Sequence, residues 1–376
     1  MQKKLIALAV VAAFSAPAFA DVTAYGVLDA AVAHISADGQ KSDIQAVAGG
    51  LSTSRFGVKT VEDLNNGWKA VGVLEYALDN ETNSTVGGTT TSIAAGKLAA
   101  RTQMLAVAGD FGTVATGYLQ TTGYDFAVKF DPTTGSSVSP LQSMTKSTNV
   151  IGSVTAGARA PRALAYISPD LGGVTVAVNY TTDLTGGLGN LTIASGGVET
   201  KETAYLLSAT YNGGPLSVGG VYAKTKNSGT AVANDFKEYA LGVSYDLGVA
   251  KLFATYQNNK TDAVVAPAVL NFQAKVYSFS AVAPVGPGAV VFTYAKNKST
   301  YTGGDFGGSG ETVAWLQPLS KQTTAYAAIE KISNNTANLF SVDSNAVAPT
   351  LANLGTGTLT NGGSSTLIAV GLKKVF

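Results

Sequence analysis

Cysteine is absent from the 376 residues, and the chain has one histidine and three methionines. Without cysteine, the protein has no disulfide framework, no thiolate nucleophile and no cysteine-ligated metal site. The single histidine, His34, offers no transition-metal cluster, and we expect it to lie at a surface or interface. No loop has the ligand spacing of a calcium site, and no glycine motif has phosphate-binding spacing. These absences argue against an enzyme, and no cofactor or bound metal is expected.

Charged residues are also scarce, at 13% of the chain, while hydrophobic residues make up 45% and the mean hydropathy is +0.19. This composition is unusually apolar for a soluble exported protein. Yet no apolar run of about 18 residues, the length of a membrane-spanning helix, occurs beyond residue 20. A membrane protein without such a run must satisfy its backbone hydrogen bonds between the strands of a closed β-barrel.

The amino-terminal 20 residues have the pattern of an export signal. Lys3 and Lys4 precede an apolar segment over 5–14, and 18–20 (Ala-Phe-Ala) form a small-x-small cleavage site. We expect cleavage after Ala20, which leaves 21–376 as one barrel domain; the alternative is an uncleaved anchor helix. Removing the two lysines leaves 25 − 2 = 23 basic against 24 acidic residues. This balance gives no indication of a nucleic-acid partner.

Beyond residue 20 the sequence is a series of segments of about ten residues with period-two alternation of apolar and polar side chains. The pattern predicts sixteen antiparallel strands of an all-β transmembrane barrel, an even number. The predicted strands are 22–35, 51–62, 67–79, 98–108, 112–120, 160–168, 173–183, 202–212, 215–226, 236–246, 249–260, 272–283, 287–298, 311–318, 321–333 and 364–376.

The connections between these strands alternate in length. Short connections rich in turn residues alternate with long polar ones, and the long ones are 36–50, 80–97, 121–158, 184–201, 227–235, 261–271, 299–310 and 334–363. This asymmetry is typical of an outer-membrane barrel with short periplasmic turns and long extracellular loops. A soluble β-sandwich has no reason to separate its loops in this way.

The third long connection, 121–158, shows little strand or helix periodicity, and loops of this length in compact domains are usually functional. All four arginines of the chain lie around it: Arg55, Arg101, Arg159 and Arg162. In a closed barrel, such a loop and nearby arginines would share the lumen and set its bore and charge. We therefore expect a constriction at this loop.

Alternation within the strands separates a charged face from an apolar face. Lys69 and Glu75 share one face of their strand, and Arg55 and Lys59 share one face of another. A charge facing the middle of a bilayer costs about 2–4 kcal/mol, so the charged face should line the lumen. Tyrosines recur near strand ends, where they would form an aromatic belt at the membrane interface: Tyr166, Tyr180, Tyr205, Tyr211, Tyr222, Tyr245, Tyr256 and Tyr294.

Several short segments, in their order and spacing, resemble the general diffusion porins of Gram-negative bacteria, particularly the betaproteobacterial type. They are 22–29 (VTAYGVLD), 54–59 (SRFGVK), 62–64 (EDL), 111–114 (FGTV), Arg159 leading to Tyr166 and to 168–169 (SP), 319–321 (LSK) and 371–376 (GLKKVF). The resemblance extends over the whole of 21–376.

The resemblance implies a sixteen-stranded barrel, a homotrimer and a third loop that folds inward. It implies that Arg55, Arg101 and Arg159 form the basic side of the constriction, with Lys69 and Glu75 on the wall nearby. Arg162 would be an additional positive charge. The acidic loop tip usual in the family is absent, which leaves the acids Asp125 and Asp131 and the bases Lys129 and Lys146 in the loop. Expected partners are outer-membrane lipid, lipopolysaccharide, and the barrel-insertion machinery, which would recognise Phe376.

The predicted function is passive diffusion of small hydrophilic solutes and ions through a water-filled pore with a mild anion preference. For each arginine, the alternative role is a wall residue that pins the loop in place. Two other functions stay open. One is a channel selective for small amides, organic acids or sugars, with an aromatic track formed by Tyr118, Tyr124, Phe126 and Phe130. The other is a structural or adhesive barrel that binds partners through 334–363.

Overall fold

The computed structural model describes residues 20–78, 100–145, 158–182, 201–228, 232–265, 268–301, 304–335, 342 and 362–376. Seventeen strands form one sheet: β1 Ala20–Ala37, β2 Asp43–Ala48, β3 Arg55–Asp63, β4 Lys69–Ala77, β5 Ala100–Gly109, β6 Gly112–Gln120, β7 Arg159–Ile167, β8 Val174–Thr181, β9 Lys201–Gly213, β10 Leu216–Ser228, β11 Val232–Asp246, β12 Lys251–Val265, β13 Ala268–Val285, β14 Gly288–Tyr301, β15 Gly304–Pro318, β16 Thr323–Asn334 and β17 Ser364–Val375. Two helices, α1 Thr122–Phe130 and α2 Pro140–Thr145, lie between β6 and β7.

The sheet closes on itself, because β1 pairs with β17 on one side and with both β2 and β3 on the other. All neighbouring strands are antiparallel. Since β2 and β3 pair in succession with the same strand, they are one barrel strand interrupted at 49–54, and the barrel has 17 − 1 = 16 strands. The prediction of a closed sixteen-stranded antiparallel barrel is confirmed.

Connections at one end of the barrel, here called the turn end, are short: 64–68, 110–111, 168–173, 214–215, 247–250, 286–287 and 319–322. The opposite end is called the loop end. Four predicted long loops there, 36–50, 227–235, 261–271 and 299–310, are shorter than expected, because strand pairing continues into them. Backbone pairing needs no apolar pattern once a strand has left the bilayer, so the sequence pattern ended before the strands did. The predicted loops 80–97, nearly all of 184–201 and most of 334–363 lie outside the described residues.

The outward face of the barrel is apolar, as the alternation predicted. Leu74, Leu105 and Val370 expose 51%, 62% and 63% of their surface, while neighbours such as Ala106 and Ala369 point inward and are buried. Predicted belt tyrosines, including Tyr166, Tyr180, Tyr205, Tyr211, Tyr222 and Tyr245, are also exposed outward. No helix among the described residues is long and apolar enough to cross a membrane.

The carboxyl end of β17 completes the seam of the barrel. The backbone N–H of Phe376 donates to the carbonyl of Gly26 at 3.1 Å, and the N–H of Gly26 donates to the carbonyl of Phe376 at 3.0 Å. The Phe376 ring covers Gly26, where a Cβ atom would overlap it. A Cβ atom at position 26 would therefore displace the Phe376 ring from the seam.

Candidate functional site

The connection between β6 and β7 folds into the barrel and begins with helix α1. Thr121 caps this helix, since its Oγ1 accepts a hydrogen bond from the N–H of Tyr124 at 3.2 Å. Phe126 and Phe130, on one face of α1, are buried against the wall. Gly219 and Gly242 make room for these rings, because a Cβ on Gly242 would lie 2.5 Å from Cγ of Phe130. The helix is thus seated on β10 and β11.

Beyond α1, the loop crosses to other parts of the wall. The N–H of Thr53 donates to the carbonyl of Gly135 at 3.1 Å, and Ser137 donates to the carbonyl of Gly49 at 3.1 Å, both at the interruption between β2 and β3. The segment of α2 is fastened to β14 and β15, where Asn297 and Thr312 donate to loop carbonyls at 2.8 and 2.9 Å. The loop therefore spans the lumen and is anchored at three places. Its prediction as a loop without helices was wrong.

Asp131 does not contribute a free charge to the lumen, so that expectation was wrong. It is 1% exposed, and its carboxylate accepts hydrogen bonds from the backbone and hydroxyl of Thr133, from Thr134 and from Ser139 at 2.8–3.1 Å. These donors belong to the residues just after it in the loop. Asp131 therefore shapes the turn between α1 and α2, because these local donors satisfy its buried carboxylate oxygens.

Opposite the loop, two arginines share one carboxylate. Glu75 Oε1 lies 2.8 Å from Nε of Arg101, and Oε2 lies 3.7 Å from Nε of Arg55. Tyr25 donates its hydroxyl to Glu75 Oε2 at 3.0 Å. The pairing of β4 with β5 shifts register at Glu75 and Tyr76, which places Arg101 in a β-bulge beside Glu75. Bulges commonly re-aim a side chain in this way, and here the bulge turns Arg101 toward the carboxylate.

Arg159 links this wall to the loop. Its Nε donates to the carbonyl of Arg101 at 2.7 Å, and its Nη1 donates to the carbonyl of Ala158 at 2.8 Å. Its guanidinium lies 4.8 Å from the centre of the Tyr124 ring in α1, within cation–π range. Asp125, on the same helix, is exposed and accepts a hydrogen bond from the Gln120 amide. The structure thus brings Arg55, Arg101, Arg159 and Glu75 together beside α1.

Two other predicted site residues lie elsewhere. Lys69 is six residues from Glu75 on β4, at the turn end, and forms an ion pair with Asp63 at 2.9 Å. At about 3.3 Å of rise per residue, this separation is about 20 Å, so its placement at the constriction was wrong. Arg162 is exposed in a β-bulge of β7, where it has a φ of 51°. A role for Arg162 in the constriction stays a prediction.

The proposed aromatic track is not formed as expected. Phe126 and Phe130 face the wall rather than open water and are 4% and 0% exposed. Tyr124 is also buried, against Arg159. Of the four predicted aromatics, these three are thus engaged in holding the loop.

Asp29 supports the site and was missed by the sequence reasoning. It is fully buried, and its carboxylate accepts hydrogen bonds from the N–H groups of Leu51 and Ser52 at 2.9 and 2.8 Å and from the Tyr326 hydroxyl at 2.6 Å. Ser52 in turn accepts a hydrogen bond from Nη1 of Arg55 at 3.1 Å. Asp29 therefore positions Arg55 through Ser52. The sequence signal that could have identified Asp29 is that it is the single acidic residue in the otherwise largely apolar predicted strand 22–35.

Replacing Asp29 with alanine is expected to destabilise the barrel by about 3–5 kcal/mol, because one buried and two partly buried donors lose their acceptor and each costs about 1–3 kcal/mol. Unfolding in denaturant, followed by circular dichroism, would measure the change. Asp43→Ala is the matched control, since exposed Asp43 bonds only its neighbouring residue in the described contacts; it should change stability by about 0.5 kcal/mol or less. Equal stability of the two variants would contradict this role for Asp29.

The site carries more positive than negative charge. Three guanidinium groups face one carboxylate on the wall and one, Asp125, on the loop. Arg55, Arg101 and Glu75 keep 28%, 17% and 13% of their side-chain surface accessible, so they are in contact with lumen water. Within the described ranges, no group of three His, Cys, Asp or Glu residues is placed to hold a metal ion. The arrangement favours passage or binding of anions.

Comparisons with known proteins show which family and which folds the chain resembles. Residues 7–337 match the sequence model of a family described as Gram-negative porin. The chain is 27% identical over 379 residues to outer membrane porin protein 32 of Delftia acidovorans, covering 100% of both chains. It resembles the solved anion-selective porin from Comamonas acidovorans, with a TM-score of 0.73 and 26% identity, over 95% of this chain and 100% of that one. The fold also matches a trimer form of OmpT from Vibrio cholerae, with a TM-score of 0.65 and 16% identity, over 95% and 99% of the chains.

Proposed function

Since the chain belongs to the Gram-negative porin family, we propose that the gap between α1 and the arginine wall is the constriction of its channel. The protein is an outer-membrane porin, and small hydrophilic solutes and ions cross its barrel by passive diffusion. The relatives of this chain belong to a family of channels. They give no support to an enzymatic function. The observation that carries the proposal is the pairing of Arg55 and Arg101 with the single carboxylate of Glu75 beside the inward-folded loop, with Arg159 bonded to the Arg101 carbonyl.

The arginines would favour anions by electrostatic attraction at the narrowest point. Each guanidinium is fixed by hydrogen bonds to backbone or side-chain acceptors, so it need not reorganise when an ion passes. Two unit charges 4 Å apart interact by about 1 kcal/mol in bulk water and about 4 kcal/mol near a protein surface. Because Glu75 and Asp125 offset part of the positive charge, we propose a mild preference. The Comamonas relative, described as anion-selective, supports the same direction.

We propose that the protein assembles as a homotrimer through the outward face of β1, β2 and β17. The Vibrio relative solved in a trimer form supports this assembly. Exposed apolar residues on this face include Val32, Ile44 and Val370, at 59%, 67% and 63%. Paired small residues, such as Ala30 opposite Ala48, keep the surface flat enough for close subunit contact.

Export by a signal peptide and insertion through Phe376 also stay predictions, and 1–19 lie outside the described residues.

Single-channel recording in a planar bilayer tests the proposed constriction. Wild-type protein is expected to show stepwise openings and, under a salt gradient, a reversal potential of the sign that indicates anion preference. Arg159→Ala should shift this potential towards zero, because one of three positive charges is lost. Absence of openings from correctly folded protein would contradict the channel. Openings with unchanged selectivity in the variant would keep the channel and remove Arg159 from its constriction.

A further inference from the structure

Tyr25, on β1, reaches a carboxylate that lies two strands away. Strand register places Tyr25 opposite Gly57 on β3, and Gly57 opposite Glu75 on β4. The three positions therefore form one row across the wall of the lumen. Because Gly57 has no side chain, the Tyr25 ring lies across it, and a Cβ at position 57 would come within 2.4 Å of the tyrosine Cζ. The Tyr25 hydroxyl then donates to Oε2 of Glu75 at 3.0 Å.

The two oxygens of Glu75 have different partners. Oε1 accepts a charge-assisted hydrogen bond from Nε of Arg101 at 2.8 Å. Oε2 lies 3.7 Å from Nε of Arg55, which is beyond hydrogen-bond range, so its donor among the described contacts is the neutral Tyr25 hydroxyl. Arg55 instead donates through Nη1 to two neutral oxygens of 52–53, at 3.1 and 3.0 Å. Glu75 is therefore hydrogen-bonded to one arginine and not to the other.

The carboxylate is also less accessible than the guanidinium groups beside it. The side chains of Arg55 and Arg101 are 28% and 17% exposed, whereas that of Glu75 is 13% exposed. A carboxylate oxygen with so little access to water requires a hydrogen-bond donor. Tyr25 supplies this donor without neutralising a positive charge.

We propose that Tyr25 is a positioning residue for anion preference, because its hydroxyl holds Glu75 against the wall and leaves Arg55 without a hydrogen-bonded carboxylate. This role rests on the constriction proposed above. Without the hydroxyl, Oε2 would take its hydrogen bond from Arg55 or from lumen water. A small approach would bring Arg55 to the 2.8 Å separation that Arg101 already has. A closer ion pair and a carboxylate turned toward the water would both weaken the attraction of the site for anions.

Reversal potentials in a planar bilayer under a potassium chloride gradient test this role. Tyr25→Phe keeps the ring over Gly57 but lacks the hydroxyl. It should lower the chloride-to-potassium permeability ratio by about twofold, with little change in conductance. Tyr76→Phe is the matched control, because it removes a phenol hydroxyl next to Glu75 in sequence, but one that bonds Gln103 on the outward face of the barrel. Its permeability ratio should equal that of the wild type.

Two further backgrounds separate positioning from a general structural effect. In Glu75→Gln the carboxylate is absent, so the addition of Tyr25→Phe should not change the permeability ratio any further. Gly57→Ala should displace the Tyr25 ring and reproduce the effect of Tyr25→Phe, and the combination of these two should have no larger effect than either alone. Thermal unfolding would confirm that each variant is folded.

Three results would each overturn the positioning role. They are an unchanged or higher permeability ratio in Tyr25→Phe, an equal loss in Tyr76→Phe, and an undiminished effect of Tyr25→Phe in the Glu75→Gln background. In all three cases, an anion preference of the wild type that weakens in Arg159→Ala would still support the constriction. A folded wild-type protein without anion preference would instead contradict the constriction itself, so the two proposals can be judged separately.

Discussion

Replacing Arg55, Arg101 and Arg159 together with glutamine is expected to change the channel from anion-preferring to cation-preferring. The wild-type constriction has three guanidinium groups against the carboxylates of Glu75 and Asp125, a balance of 3 − 2 = +1. The triple variant keeps both carboxylates and has a balance of −2. Because we propose that these groups line the narrowest part of the lumen, their field would act on every ion that passes.

The measurement is the sign of the reversal potential in a planar bilayer under a salt gradient. The matched control is Lys69→Gln, which removes one exposed positive charge at the turn end, about 20 Å along β4 from Glu75. At moderate ionic strength this distance exceeds the Debye length of about 8–10 Å, so the control should keep the wild-type sign. A triple arginine variant that folds and still prefers anions would refute the proposed constriction.

Replacing Gly242 with valine is expected to narrow the pore and lower its conductance. Helix α1 lies between the wall at β10–β11 and the arginines, and a Cβ at this position would come within 2.5–2.9 Å of the Phe130 and Phe126 rings. The side chain would push the helix away from the wall and towards the arginines. Overpacking of this kind costs about 1–3 kcal/mol, so a modest loss of stability should accompany the lower conductance.

Single-channel conductance and thermal unfolding would report both effects. Gly220→Val serves as the control, because Gly220 is on the neighbouring strand but faces outward, where a Cβ meets Leu241 at 3.3 Å and no loop residue. The double variant Gly242→Val/Phe130→Ala removes the ring that the valine would strike and should recover conductance. Equal effects of Gly220→Val and Gly242→Val on conductance and thermal unfolding would contradict the packing of α1 against β10 and β11.

The barrel could be predicted from the sequence because lipid imposes an apolar side chain at every second position. That constraint ends where the strand leaves the membrane, which is why β2 and the outer parts of β11–β15 were assigned to loops. The interruption at 49–54 was also missed, since Asp29 stabilises it from another strand. The two helices inside the barrel were missed because their burial depends on glycines far away in the sequence, such as Gly219 and Gly242.

The arginines were identified because so few occur in the chain and because they flank one loop. Alternation shows which face a side chain occupies, but it does not show depth along the strand. Lys69 was therefore placed with Glu75, although it lies at the other end of β4. Asp131 was counted as a lumen charge because composition cannot reveal that Thr133, Thr134 and Ser139 would enclose it.

The pairing of β1 with β17 determines when the barrel can close during folding. Asp29 and Tyr326 are 297 residues apart, yet they meet across this seam. Neither edge strand has its partner until nearly the whole chain is present, and contacts this distant in sequence form slowly. Throughout that delay, each unpaired edge is a template for pairing with another copy.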